Sequence, residues 1–148
     1  MRLLLQRVTR AEVRVDAESV GAIGPGLLVL VGVGPDDDGA VARSLADKVV
    51  NLRIFRDEDG LTNRSLLDVG GEILAVSQFT LFADTSRGRR PSFIRAAAPE
   101  QGERLYEAFT AALEALGVHV ARGRFGAEMQ VELVNDGPMT IWLDSAAA

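Results

Sequence analysis

Residues 73–80 read ILAVSQFT, and this stretch decides the fold class. Ile73 to Phe79 carries apolar residues on both faces of an extended segment, which is typical of a strand buried between two layers. Two predicted helices flank it, one starting at the acidic run 36–38 and ending near Asn51, the other running from Pro99 to Gly117. A doubly covered strand between two helices predicts an α/β domain.

The other predicted strands favour a curled sheet. Residues 2–15 alternate in polarity in their second half, and Leu27 to Val33 follows the turn Gly24-Pro25-Gly26. Further strands are predicted at 52–55, at 65–69, around His119, through Met129, Val131 and Leu133, and at 139–143. About eight strands joined by tight turns predict a mixed, largely antiparallel sheet curled towards a barrel, with two main helices packed outside, in a single domain.

The composition excludes several classes of protein. The 148 residues are 47% apolar and 25% charged, as in an ordinary globular domain. No apolar run approaches the ~20 residues that span a bilayer, and the first residues lack the features of a signal peptide. Because the chain has no cysteine, disulfides and cysteine metal sites are excluded. We therefore expect a cytoplasmic protein with no membrane partner.

The charge distribution limits the nucleic-acid partners. A net charge of −5 argues against a protein that coats nucleic acid through general electrostatics, and we expect no DNA partner. A local basic patch around one RNA end remains compatible with this charge. Two groups of arginines could be such a patch or could be solvated surface: Arg87, Arg89, Arg90 and Arg95, and Arg122 with Arg124.

The single histidine limits the possible catalytic groups. His119 cannot supply a multi-histidine zinc site, and any Ser-His-Asp triad would have to be built around it. Its position between Val118 and Val120 favours a structural role in a strand. Neither Ser77 nor Ser92 lies in a Gly-x-Ser-x-Gly motif, so we rank a serine hydrolase low.

Polar residues stand out at three positions. Ser77-Gln78-Phe79-Thr80 brings two hydroxyls and an amide to the end of the central strand, where they could complete the sheet or perform chemistry. Residues 135–138 predict a tight turn. Arg7 shares the inward parity of Val13 and Val15, and a buried arginine needs several acceptors. We therefore expect Arg7 to brace a polar feature.

Taken together, these segments resemble the D-aminoacyl-tRNA deacylase family. The matching motifs are Gln6-Arg7-Val8, Ser77-Gln78-Phe79-Thr80-Leu81, Arg90-Pro91-Ser92-Phe93, Gly123-Arg124-Phe125, Met129-Gln130-Val131 and Asn135-Asp136-Gly137-Pro138-Met139-Thr140. They span nearly the whole chain in the family's order. One departure is Met139, where the family more often has valine.

The resemblance implies a homodimeric esterase that removes D-amino acids from the acceptor end of tRNA. In that family a cis bond between the residues matching Gly137 and Pro138 enters the partner's active site, and the carbonyls of both residues would face the substrate's ammonium group. An L side chain would collide with this backbone, whereas glycine would be accepted. Arg7 matches a residue that holds the motif, and Phe125 and Met129 match residues near the adenosine pocket.

The same resemblance makes Ser77, Gln78, Phe79 and Thr80 the catalytic wall. Backbone N–H groups near Gln78 and Phe79 would stabilise the oxyanion as water attacks the ester. Thr80 is a candidate nucleophile or water-orienting group, although no base is recognisable beside it. A ribose hydroxyl of the terminal adenosine is the better candidate for activating water, and the reaction needs no metal or cofactor. The alternative is a catalytically silent module that binds an RNA end or a small metabolite.

Overall fold

Strand β1 (Arg2–Val15) is the element around which the sheet is organised. The computed structural model describes residues 1–147. β1 pairs antiparallel with β2 (Glu18–Ile23), β3 (Gly26–Gly32) and the long last strand, β8 (Gln130–Asp144). Fourteen residues long, β1 can hold two successive partners on one edge while β8 follows the other edge.

The other half of the sheet is parallel. β6 (Glu72–Ser77) lies between β3 and β7 (Val120–Arg122) and runs parallel to both. The sheet curls until β2 approaches β7, so that a Cβ atom on Gly21 would lie 2.6 Å from the carbonyl oxygen of Arg122. The predicted fold class, with its mixed and barrel-like sheet, is confirmed.

Two long helices cover the outer face of this sheet. α1 (Gly39–Asn51) begins at Asp38, whose carboxylate accepts the Val41 N–H at 2.9 Å, as the acidic run predicted. The helix that begins at Pro99 and ends at Ala115 packs against α1. Alternate residues of β3 and β6 face opposite ways: Leu27 and Ile73 pack under the helices, whereas Leu28 and Leu74 fill the barrel. Both faces of the central strand are therefore buried, as predicted.

Two predicted strands are wrong or shorter than expected. Residues 65–69 do not form a strand, because Leu66–Val69 is a short helix, α2, which makes the helix at Pro99–Ala115 α3. Ser65 accepts the Asp68 N–H at 3.1 Å, and the Asp68 carboxylate accepts the Ser65 N–H at 2.9 Å. This capping box closes the turn as a helix. The strand predicted at 52–55 is reduced to β4 (Phe55–Arg56), which pairs with β5 (Thr62–Arg64).

Two boundaries around the central strand also differ from the prediction. β6 stops at Ser77, and Phe79–Phe82 forms a 3₁₀ helix instead of continuing the strand. His119 lies one residue before β7, and its side chain is 66% exposed and 3.6 Å from the Glu72 carboxylate. His119 is thus a surface residue beside the start of β6 and not part of a strand.

Residues 135–138 are not a turn that ends one strand and begins another. β8 pairs with β1 on both sides of them, since Gln6 lies opposite Thr140 and Val8 lies opposite Asn135. Residues 136–139 therefore lie opposite Arg7 alone. The strand continues through an irregular bulge in which four residues face one. We call residues 135–139 the Gly-Pro bulge.

Arg7 faces inward beneath this bulge, as its parity predicted. It is 3% exposed. Its Nε donates to the Asp136 carbonyl at 3.0 Å, and its Nη1 donates to the Ile54 carbonyl at 2.6 Å. In the opposite direction, the Asn135 side-chain amide donates to the Arg7 carbonyl at 2.8 Å. Arg7 thus links β1, the segment before β4 and the Gly-Pro bulge.

Within residues 1–147, no helix is both long enough and apolar enough to cross a membrane.

Replacing Arg7 by Met should lower the free energy of unfolding by roughly 2–4 kcal/mol, because the buried Ile54 carbonyl and the partly buried Asp136 carbonyl lose their donors. Urea denaturation followed by circular dichroism measures this change. Arg10→Met is the matched control, since Arg10 lies on the same strand but makes only an exposed ion pair with Glu132. Equal midpoints for the two variants would contradict the structural role of Arg7.

The only tyrosine, Tyr106, reports on the packing of α3 against the sheet. Its hydroxyl donates to the Ala75 carbonyl at 2.7 Å, and burial raises its pKa from 10.0 to about 12. The neutral form therefore stabilises the fold below pH 10, and this contribution is lost as the pH rises towards 12. In an ultraviolet pH titration, the native protein should form tyrosinate well above the midpoint of the denatured protein. Coincident midpoints would contradict this burial.

Candidate functional site

A pocket opens where the parallel strands β3 and β6 end. Ligands of open α/β sheets commonly bind at the carboxyl ends of parallel strands. The cavity has a volume of ≈ 540 Å³, and its walls are mainly apolar. Its lining residues come from the end of β3 and the residue after it (31 and 33), the end of β6 and the start of the 3₁₀ segment (76–79), the connection to α3 (93, 96 and 97), the first turns of α3 (99, 102 and 106), and the segment that leads into β8 (125–127, 129 and 131).

The predicted catalytic wall forms one side of this pocket. Ser77, Gln78 and Phe79 line it, and Thr80 follows in the 3₁₀ helix, joined to Gln78 by a hydrogen bond from the side-chain amide to the threonine hydroxyl. The Gln78 backbone N–H is already used, because it donates to the Val31 carbonyl at 2.7 Å. Phe79 begins the 3₁₀ helix, where first amides have no intrahelical acceptor. Of these two amides, only the Phe79 N–H is without a backbone acceptor among residues 1–147.

Among residues 1–147, no carboxylate or imidazole is hydrogen-bonded to the Thr80 hydroxyl. The hydrogen bond that its hydroxyl accepts comes from an amide donor, which cannot remove a proton. His119 is remote, because its carbonyl accepts from Ile73 at the start of β6, whereas Ser77 ends that strand. Four residues of extended strand, from Ile73 to Ser77, therefore separate His119 from Ser77 by roughly 13 Å along the sheet. A triad that uses Ser77 and His119 is therefore excluded by geometry.

The opposite side of the pocket contains the two residues predicted near the adenosine. Phe125 and Met129 both line it, and the Phe125 ring lies 6.2 Å from that of Tyr106, centroid to centroid. Sequence reasoning missed Tyr106 and Phe93 as lining residues. Tyr106 directly follows Leu105 of the predicted buried stripe, and Phe93 is the last residue of the matching motif Arg90-Pro91-Ser92-Phe93, so both signals were present in the sequence.

The Gly-Pro bulge lies elsewhere on the surface. Gly137 and Pro138 are exposed, and the peptide bond between them is cis. Gly137 has a φ of +135°, and a Cβ atom there would lie 2.9 Å from Arg7 Nη2 and 3.0 Å from the Met139 nitrogen. Only glycine suits that conformation and that space. The Asp136 and Met139 carbonyls of the bulge accept hydrogen bonds from Arg7 Nε and from the Asn135 side-chain amide, whereas Gly137 and Pro138 between them are exposed.

Two arginines hold the base of the bulge. Arg56 places Nη1 at 3.0 Å and Nη2 at 3.3 Å from the two carboxylate oxygens of Asp136, and Arg7 Nε lies 3.4 Å from the same carboxylate. The hydrogen bonds from Arg56, together with the charges of Arg56 and Arg7, lower the pKa of Asp136. The sequence gave no signal for Arg56, because its partner is 80 residues away.

A single chain brings together only part of the predicted site. Ser77, Gln78, Phe79, Phe125 and Met129 share one pocket, with Thr80 behind it, whereas Arg7, Gly137 and Pro138 do not line it. In the sheet, Arg7 pairs with Leu27 and Ser77 pairs with Val31, so they are separated by four residues along the strands and by two strands across. Among residues 1–147, no group of three His, Asp or Glu side chains is arranged to hold a metal ion.

Comparison with protein families and relatives gives one consistent match. A family model described as D-Tyr-tRNA(Tyr) deacylase matches residues 4–144. A protein of Deinococcus radiodurans named D-aminoacyl-tRNA deacylase is 60% identical over 144 residues, 97% of this chain and 99% of the relative. A protein of Dinoroseobacter shibae with the same name is 64% identical over 145 residues, again 97% of this chain and 99% of the relative.

Two solved structures share the fold of this chain. One described as c-Myc DNA Unwinding Element Binding Protein has a TM-score of 0.92 and 41% identity, and the alignment covers 97% of this chain and 98% of that one. A second, described as a probable eukaryotic D-amino acid tRNA deacylase, has a TM-score of 0.83 at 20% identity over 96% and 97% of the two chains, and supports the fold alone. The chain therefore belongs to the D-Tyr-tRNA(Tyr) deacylase family, which confirms both the family and the hydrolase class predicted from its motifs.

Proposed function

We propose that this enzyme hydrolyses the ester bond between a D-amino acid and the acceptor end of tRNA, with mischarged glycine as a second substrate. The observation that carries the proposal is the pocket itself, which gathers Ser77, Gln78, Phe79, Phe125 and Met129 in a chain whose relatives are named D-aminoacyl-tRNA deacylase. Its substrate is an intermediate of translation, so we place the enzyme in the cytoplasm.

The terminal adenosine occupies the apolar side of the pocket. Phe125 and Met129 provide a surface on which a base can stack, and aromatic contacts of this kind bind bases without hydrogen-bond readout. The ester then lies beside Ser77, Gln78 and Phe79 at the end of β6. This placement is supported by the volume of ≈ 540 Å³ and by the apolar walls on that side.

The Gly-Pro bulge acts in the pocket of a second copy of the chain. The carbonyls of Gly137 and Pro138 accept hydrogen bonds from the substrate's ammonium group, which fixes the directions of the other groups on the α-carbon. A D side chain then points out of the site, an L side chain runs into the bulge, and glycine fits. The bulge is held by Arg7, but it is exposed and does not line the pocket of the same chain. This arrangement supports its insertion into the pocket of a second chain.

Hydrolysis proceeds by attack of water on the ester carbonyl. The Phe79 N–H stabilises the oxygen that gains negative charge, and the tetrahedral intermediate collapses with the ribose oxygen as leaving group. The neighbouring ribose hydroxyl positions the water, because Thr80 is bonded to an amide donor and has no base. Thr80 and Gln78 keep the wall in shape. This scheme uses no metal or cofactor.

A binding module on the same fold is the competing proposal. It would use the adenosine side of the pocket without turnover. The uncommitted Phe79 N–H at the ester position favours the enzyme over this module.

Purified protein should release tyrosine from D-tyrosyl-tRNA rapidly in the presence of a chelator, and should leave L-tyrosyl-tRNA almost intact. Release of radiolabelled amino acid over time measures both reactions, and glycyl-tRNA serves as the third substrate. The absence of release from every substrate would favour the binding module. Equal release from the D and L substrates would contradict the chiral filter.

Gly137→Ala should lower the rate constant for D-tyrosyl-tRNA by at least about tenfold, because the added methyl group meets Arg7 and displaces the carbonyls that hold the ammonium group. Pro138→Ala, which removes the ring of the filter, should raise the relative rate on L-tyrosyl-tRNA. Single-turnover kinetics measures both effects.

The matched control is Gly117→Ala at the end of α3, where φ is also positive, at +93°, but where nothing lies within 4 Å of the new Cβ atom. It carries the same kind of backbone cost at a positive φ without the steric contact, and should leave both activity and selectivity unchanged. A Gly137→Ala enzyme with the activity and selectivity of this control would contradict the role of the bulge.

A further inference from the structure

The segment between β6 and α3 carries an unpaired cluster of positive charge. Asp84 and Ser92 form a two-way backbone bridge at 2.8 and 2.9 Å, which closes residues 85–91 into a loop that we call the basic loop. Arg87, Arg89 and Arg90 are exposed on it, and none makes an ion pair with any carboxylate in residues 1–147. By contrast, Arg95, just beyond the loop, lies 3.7 Å from Asp84.

The basic loop is directly connected to the wall of the pocket. Ser92 closes it, and the next residue, Phe93, lines the cavity and meets the Phe79 ring edge to face at 5.2 Å between centroids. From Phe93 to Arg90 the chain can extend by at most ~10 Å. The loop therefore adjoins the wall that contains the predicted catalytic segment.

The arrangement of charge over the rest of the chain makes this cluster unusual. The protein carries a net charge of −5, and most of the arginines outside the loop are paired with carboxylates, among them Arg14, Arg56, Arg64 and Arg122. A polyanion is repelled by such a surface as a whole and attracted where positive charge is unpaired. An acidic protein as partner would find the same charges, but it would not also need the adjoining pocket.

We propose that the basic loop binds the backbone phosphates of the tRNA acceptor end as the terminal adenosine enters the pocket. The inference rests on the proposed function, because the pocket gives the RNA its direction. Arginine binds phosphate oxygens through two parallel N–H donors, so Arg89 and Arg90 can each engage one phosphate. The loop contributes affinity for RNA and takes no part in ester cleavage.

The test compares Arg89→Gln/Arg90→Gln with a control of equal charge change, Arg43→Gln/Lys48→Gln on the exposed face of α1. The first measurement is the equilibrium binding of an uncharged acceptor-stem minihelix ending in CCA, between about 50 and 200 mM salt. Loss of two phosphate contacts should reduce the slope of log Kd against log salt by about 1.4 and weaken binding about tenfold or more at the lower salt. The control should keep the wild-type slope.

The second measurement is hydrolysis of D-tyrosyl-tRNA and of D-tyrosyl-adenosine, which has no phosphate. The loop variant should raise KM for the tRNA substrate while leaving kcat and the rate on D-tyrosyl-adenosine unchanged. Arg89→Lys/Arg90→Lys should restore most of the minihelix affinity, because lysine also binds phosphate as a point charge. Matching thermal unfolding curves establish that each variant is folded.

The outcomes distinguish the basic-loop proposal from the proposed hydrolase function. Equal salt slopes for the loop variant and the control would overturn the basic-loop proposal, whether or not the enzyme hydrolyses the ester, and would leave an acidic protein as the partner for the loop. An equal loss of rate on D-tyrosyl-adenosine would overturn it too, since the arginines would then act on the pocket. If the minihelix binds with the expected salt slopes but no substrate is hydrolysed, the basic-loop proposal stands and the proposed function is contradicted instead.

Discussion

The buried guanidinium of Arg7 is the constraint on which the site geometry depends. A charge that is 3% exposed requires acceptors, and Arg7 finds them in the carbonyls of Ile54 and Asp136. Those two bonds fix the bulge of β8 over β1, and the nearby Arg7 Nη2 requires glycine at position 137. An exposed backbone segment is thereby anchored to a buried side chain. Rigidity is what a steric filter needs, because a flexible filter would yield to the wrong substrate.

The two functional surfaces have different origins in the fold. The pocket forms at the ends of the parallel pair β3 and β6, where the central strand ends at Ser77 and a 3₁₀ helix begins at Phe79. The Gly-Pro bulge arises from the antiparallel pair β1 and β8, where strand register changes. Since both belong to one mixed sheet, their positions are fixed relative to one another, but they do not meet within a chain. Assembly of two copies is therefore the simplest way to combine them.

Local sequence patterns predicted much of this architecture, whereas the register between strands that are distant in sequence could not be predicted. The two-sided apolar run 73–77, the cap at Asp38 and the inward parity of Arg7 each depend on neighbouring residues, and each is confirmed. The short helix α2 was mistaken for a strand, although Ser65 and Asp68 have the spacing of a capping box. His119 lies outside the strand because β7 pairs only from Val120. The bulge opposite Arg7 was mistaken for a turn, since a register shift depends on a partner more than 120 residues away.

The most direct test of the cross-subunit site is complementation between two variants, each of which impairs a different half of the proposed site. One carries Gln78→Ala with Thr80→Val in the pocket wall, and the other carries Gly137→Ala with Pro138→Ala in the bulge. The two are unfolded and refolded together, and release of tyrosine from D-tyrosyl-tRNA is measured. If each site combines the pocket of one chain with the bulge of its partner, random pairing should restore about a quarter of the wild-type activity, because half of the dimers contain one intact site. A mixture as inactive as its separate components would contradict the account, since every site would then be built within one chain.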